Sequence, residues 1–152
     1  MRGDSDESVK SVLLAKHAQH VALVHFPIAL IFVSAAFDLL SLRKENLALL
    51  RAAYYTVIAA AIAAVPTVAT GILAWQFQFE GKVPRGNLKL HMFLAFFSSV
   101  LIWLVCGLHV REHRKLEAGS PNLRLAVEFL AVALTLLTAH VGGFVSGVNG
   151  PA

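Results

Sequence analysis

Long apolar stretches without charged residues constrain this chain more than any other feature of its sequence. The first carries no charge between Lys16 and Asp38, and the third none between Lys89 and Arg111. The second and fourth stretches contain uncharged runs of comparable length. A helix rises about 1.5 Å per residue, so each stretch is long enough to cross a hydrocarbon core of about 30 Å. The sequence therefore predicts an all-α integral membrane protein.

The spacing of these stretches predicts a single domain. We expect helices at about residues 18–42, 47–79, 88–110 and 122–148, after a polar segment over residues 1–17. Short polar loops join the helices, which favours an up-down-up-down four-helix bundle. We find no convincing sequence repeat.

The charged residues agree with a membrane location. Only 14% of the 152 residues are charged, against 57% that are apolar. The formal charge of +4 comes from basic residues that lie mostly in loops and at the ends of the apolar stretches, where lipid headgroups account for them. We therefore expect a lipid bilayer, and no nucleic acid, as the partner of these basic residues.

Three histidines are predicted to share one depth in the bundle. If the helices alternate in direction, His25, His91 and His140 all lie within about two turns of the membrane face at which the first helix enters. His20 lies near the same face, but about 140° around the helix from His25, so we expect it to be a shallower neighbour. Because an imidazole in hydrocarbon is costly without a partner, a shared layer of imidazoles indicates a bound group.

Noncovalent haem b is the group that this composition fits best. The one cysteine, Cys106, excludes attachment through Cys-x-x-Cys-His and an iron–sulfur cluster held by four thiolates. His25 and His91 are on helices that lie diagonally in an up-down bundle, so they are the expected axial ligands. His140 is then a competing ligand, or the partner of a propionate or a quinone oxygen.

The surroundings of the histidines complete this prediction. Trp75 is expected to wall the haem site, and Gly143 to leave room for a flat cofactor. A nucleophile–base pair, a phosphate loop and paired carboxylates are not recognisable, so we do not expect an enzyme in its own right. The predicted function is electron transfer between a partner redox protein and quinone or another haem.

Two alternatives stay open at this point. His25, His91 and His140 are also the ligands of a possible three-histidine zinc or copper site. In the second alternative, the chain is a noncatalytic anchor of a larger complex. Asp38 and Glu128 would then form ion pairs with Arg51 or Arg124 at the membrane edge. His109 is expected to be an ordinary interface residue.

The basic residues give only a small orientation signal. They are slightly more concentrated in the short loops on the face away from the histidines. The positive-inside rule then places that face in the cytoplasm. We expect a bacterial cytoplasmic membrane, with the histidine layer towards its outer face.

Several motifs are distributed over most of the chain. They are His25-Phe26-Pro27-Ile28-Ala29-Leu30, Asp38, Thr70-Gly71, Trp75, His91 and His140-Val141-Gly142-Gly143. Together they resemble the small four-helix membrane family catalogued as domain of unknown function 2231, and the resemblance extends from about His20 to Gly150. Members of that family sometimes occur beside Rieske-type or cytochrome partners, so the resemblance implies redox work.

Overall fold

The computed structural model describes residues 16–44, 46–78, 80–115 and 121–147, and nearly all of them are helical. Each of the four helices is long and apolar enough to cross a bilayer, which confirms the predicted fold class. Parts of three predicted segments lie outside the described residues. They are residues 1–15 of the polar segment, residue 79 of the second helix and residue 148 of the fourth. The helices are α1 (Lys16–Lys44), α2 (Leu47–Gln78), α3 (Gly86–Lys115) and α4 (Pro121–Val145).

The helix boundaries follow local signals, with one clear difference from the prediction. The side chain of Asn46 caps α2 by accepting a hydrogen bond from the backbone N–H of Ala48 at 2.9 Å. Pro121 is the first residue of α4, a position where its missing N–H costs nothing. Helix α3 ends at Lys115, five residues beyond the predicted end at 110. Its charged last turn contains Glu112, which pairs with Arg124 on α4.

The helices pack in a closed order. The largest contacts are between α1 and α2 and between α3 and α4, and smaller ones join α2 to α3 and α1 to α4. Small and medium apolar residues fill the centre, whereas large apolar side chains cover the outside, where they face lipid. The central residues are Ile31, Val57, Ala60, Ala61, Ile102, Val105, Cys106 and Ala131.

Helix α1 passes through Pro27 without a break because α2 compensates for the missing donor. A proline at position 27 cannot donate to the carbonyl of Leu23, one turn earlier. The hydroxyl of Thr67 on α2 lies 3.2 Å from that carbonyl oxygen and 2.9 Å from the carbonyl oxygen of Ala63 in its own helix, and it shares its one proton between them. The freed carbonyl therefore becomes a point of attachment between the two helices.

The two halves of the chain contain equivalent contacts, although the sequence shows no convincing repeat. The imidazole of His20 contacts the backbone carbonyl of Thr67, and that of His91 contacts the backbone carbonyl of Thr138, each across 47 residues. An offset of 71 residues relates the two histidines, the two threonines and the two helix ends at residues 44 and 115. The α1–α2 hairpin and the α3–α4 hairpin are thus two versions of one unit.

The same offset of 71 residues relates two buried residues at the other end of the bundle. These are Asp38 and His109, and Oδ2 of the first lies 3.8 Å from Nε2 of the second. We call the end of the bundle where α1 begins end A and the end where α1 finishes end B. Asp38 and His109 mark end B, and His20 and His91 mark end A.

Candidate functional site

At end A, two histidines are held by the same kind of contact. Nδ1 of His20 lies 3.1 Å from the carbonyl oxygen of Thr67, and Nδ1 of His91 lies 3.1 Å from that of Thr138. Nδ1 of His20 also lies 3.3 Å from the hydroxyl of Thr70. Each imidazole is therefore fixed by the second helix of its own hairpin.

These contacts determine the tautomer of each ring. A carbonyl oxygen only accepts hydrogen bonds, so Nδ1 of both histidines must carry the proton and donate it. In a neutral imidazole the lone pair then lies on Nε2, the arrangement found in histidines that bind metals through Nε2. The chemistry of both rings consequently suits a metal ligand.

A glycine beneath each ring makes this geometry possible. A Cβ atom at Gly71 would lie 2.9 Å from Cε1 of His20, and one at Gly142 would lie 3.0 Å from Cε1 of His91. The distance at Gly71 is shorter than carbon–carbon contact allows, and the one at Gly142 is tight enough that the ring would have to shift by a few tenths of an ångström. A side chain at either position would therefore move the imidazole. Glycine at each position thus leaves the space that the imidazole of the same hairpin occupies.

The other two predicted histidines have different surroundings. His25 is exposed, and its Nδ1 donates to the carbonyl oxygen of Val21 in its own helix at 2.7 Å. His140 is also exposed, and its ring stands edge-on to Phe144, with ring centres 5.2 Å apart. Within the described residues, His25, His91 and His140 do not form a group whose ligand atoms approach one another within 4.8 Å.

The two remaining predicted site residues take part in contacts at end A. The indole N–H of Trp75 donates to the backbone carbonyl of Lys82 at 3.0 Å, which ties α2 to the loop that follows it. Gly143 is half-buried, and its carbonyl accepts a hydrogen bond from the hydroxyl of Ser146 at 3.1 Å. The neighbouring glycine, Gly142, is the one that contacts His91.

End B contains a buried ion-pair network. Arg124 donates from Nε to Oδ2 of Asp38 at 2.8 Å and from a terminal nitrogen to Oδ1 at 2.6 Å. A second terminal nitrogen of Arg124 donates to Glu112 on α3. The guanidinium thus joins α1, α3 and α4, and the expected pairing of Asp38 with Arg124 is present.

A second buried carboxylate lies beside this network. Glu128 is fully buried, and its Oε1 accepts a hydrogen bond from the hydroxyl of Ser34 at 2.6 Å. Its Oε2 lies 3.9 Å from Nε2 of His109. His109 is only 3% exposed, so the expectation of an ordinary interface residue is wrong: the residue faces the bundle axis between two carboxylates.

Sequence reasoning expected ion pairs of Asp38 and Glu128 with Arg51 or Arg124, but it missed His109 between the two carboxylates. These residues are far apart in the chain, and His109 looks ordinary alone. One usable signal was the helical spacing between Asp38 and His20, which are 18 residues apart and hence on one face of α1. That spacing corresponds to about 27 Å along the helix axis. The interior face of the bundle therefore carries polar groups near both ends.

The fold and these buried polar groups define a four-helix integral membrane protein with ionisable residues inside the bundle. The family described as predicted membrane protein (DUF2231) matches residues 16–150. The chain belongs to this family, as its motifs indicated. No curated protein and no solved structure matches the chain.

Proposed function

We propose that this protein is a membrane-embedded haem b protein that transfers electrons, with His20 and His91 as the axial ligands at end A. The observation that carries the proposal is the pair of equivalent imidazoles, each with Nδ1 bound to a backbone carbonyl across its hairpin. That bond leaves the lone pair of a neutral ring on Nε2, where iron is bound.

The positions of the two rings support this pairing. α1 and α3 are diagonal in the bundle, so ligands on them approach a cofactor from opposite sides. His20 lies on the same face of α1 as the buried Asp38, and His91 holds the same relation to the buried His109 on α3. His25 lies about 140° away from His20 around α1, which makes it the less suitable ligand.

The remaining chemistry of end A is consistent with a noncovalent haem. The only cysteine, Cys106, lies in the apolar core away from this end. The exposed basic side chains of Arg85 and Lys89 are available to haem propionates. A bound haem would supply the one-electron iron couple, and the chain would fix the imidazoles and exclude water. A partner redox protein and quinone, or another haem, are the proposed donor and acceptor.

The test is an absorption spectrum of the chain purified in detergent after expression with ample haem. We expect the reduced-minus-oxidised bands of a six-coordinate b-type haem, lost in both His20→Ala and His91→Ala. His25→Ala and His140→Ala are matched controls near the same end, and they should keep the bands. A colourless, iron-free protein would refute the proposal and favour a noncatalytic anchor, whereas loss only in the control variants would refute the ligand assignment.

A further inference from the structure

The buried cluster at end B has the composition of a metal site. Asp38, His109 and Glu128 each offer one ligand atom, and these atoms all lie within 4.8 Å of one another. Two carboxylates and an imidazole come from α1, α3 and α4, and none of the three residues is more than 3% exposed. Sites of mixed oxygen and nitrogen ligands suit divalent transition metals such as zinc.

Two atoms of this cluster have no partner among the residues that the structure describes. Nε2 of His109 and Oε2 of Glu128 are buried and form no hydrogen bond. The distances from Nε2 of His109 to Oδ2 of Asp38 and to Oε2 of Glu128 are 3.8 and 3.9 Å, too long for hydrogen bonds. Because a buried polar atom without a partner is costly, these two atoms point to a ligand between them.

The distances fit a small cation. Two edges of the triangle of ligand atoms are 3.8 and 3.9 Å long, and the third is at most 4.8 Å. A cation at its centre would therefore lie at most about 2.5 Å from each ligand atom, and zinc ligands lie at about 2.0–2.2 Å. Shifts of a few tenths of an ångström would close the difference. The carboxylates are already oriented, since Arg124 holds both oxygens of Asp38 and Ser34 holds Oε1 of Glu128.

The charges of the cluster favour the same ligand. Asp38, Glu112 and Glu128 are acidic, and within the described part of the chain only the guanidinium of Arg124 pairs with them, so this group has a formal charge of −2 when its members are ionised. Such a charge is expensive inside a bilayer unless it is neutralised. A divalent cation would bring the network to zero.

We propose that Asp38, His109 and Glu128 bind one divalent transition-metal ion at end B. This site is separate from the proposed haem site, because about 27 Å of helix lies between residues 20 and 38. It does not depend on haem being bound at end A.

The test is calorimetric titration of the chelator-treated full chain in detergent with Zn²⁺ alone, repeated with Co²⁺ to observe the ligand-field bands of the bound ion. We expect one ion per chain. His109→Gln and Glu128→Gln should weaken binding by on the order of 100-fold or more, and Ser34→Ala by about 10-fold, the usual cost of removing a group that orients a ligand. Glu128→Gln keeps the size of the side chain, so the fold is expected to survive.

His113→Gln is the matched control, since His113 lies one turn further along α3 and stacks on Tyr54 at 4.4 Å, outside the cluster. It should bind the ion like the unchanged protein. Titrations without heat or Co²⁺ bands would overturn the proposal and leave protons as the neutralising species. Equal weakening in His113→Gln and His109→Gln would overturn it as well.

Discussion

Arg124 and Asp38 form a two-pronged ion pair between α4 and α1, with nitrogen–oxygen distances of 2.6 and 2.8 Å. Both side chains are buried, so neither has water to replace its partner. Two parallel bonds of this kind fix the direction of each group as well as the distance. The pair therefore determines how the first helix lies against the last at end B.

Replacing Arg124 with methionine should destabilise the protein by about 3–5 kcal/mol, because Asp38 is then left as an uncompensated buried charge. The double variant Asp38→Asn, Arg124→Met should recover most of that loss. The measurement is the free energy of unfolding in mixed detergent micelles, with the exposed Arg51→Met as the control. A double variant as unstable as Arg124→Met alone would argue against the charge as the cause.

Replacing Thr67 with valine should loosen α1 from α2, because the carbonyl of Leu23 loses the donor that compensates for Pro27. Hydrogen bonds between membrane helices contribute about 0.5–2 kcal/mol, and we expect a loss of that size. Thr56→Val is the control, because Thr56 donates only to Ala52 of its own helix. Equal stability of the two variants would show that the bond to Leu23 contributes nothing.

Replacing Gly142 with alanine should displace the ring of His91 with little effect on stability, because an imidazole can rotate away from the new methyl group. Gly71→Ala should do the same to His20. The displacement would be detected as a change in the imidazole nitrogen signals of histidine-labelled protein. Gly107→Ala is the control, since a Cβ there meets nothing within 4 Å, and unchanged signals in Gly142→Ala would contradict the close contact.

Replacing Ser34 with alanine should cost about 1–3 kcal/mol, because Oε1 of the buried Glu128 then lacks a donor. Ser99→Ala removes a hydroxyl that bonds only to Ala95 of its own helix, and should cost much less. Thermal unfolding of both variants in the same detergent compares them. If Ser99→Ala is the more harmful change, the interhelical bond at Ser34 is not stabilising.

Most of the fold could be predicted from the sequence because membrane helices need long apolar stretches, a signal that is local in the chain. The side-chain geometry could not, because it depends on rotation about each helix. His25 and His20 are five residues apart, yet the first is exposed and the second packs against α2. The sequence separates them by about 140° around α1, but it does not show which of the two faces α2, and only the packing of the helices decides that.

The repeat was missed for a related reason. Its members match at a few positions where a helix contacts its partner, such as Gly71 and Gly142, and differ at the lipid-facing positions between them. Large apolar residues substitute freely for one another in contact with lipid, so the lipid-facing positions preserve little similarity. The equivalent contacts in the folded hairpins therefore reveal the repeat more clearly than the sequence does.

The two hairpins have the same residues at end A of the bundle and different residues at end B. At end A they present the same histidine, threonine and glycine. At end B the first hairpin presents Asp38, Ala53 and Val57 where the second presents His109, Arg124 and Glu128. In a pair of first hairpins, two copies of Asp38 would face each other. In a pair of second hairpins, there would be two copies of Arg124 and no Asp38 to accept their hydrogen bonds. A symmetric dimer of either hairpin could thus reproduce the contacts of end A. The network of end B requires two different hairpins, which are joined here in one chain.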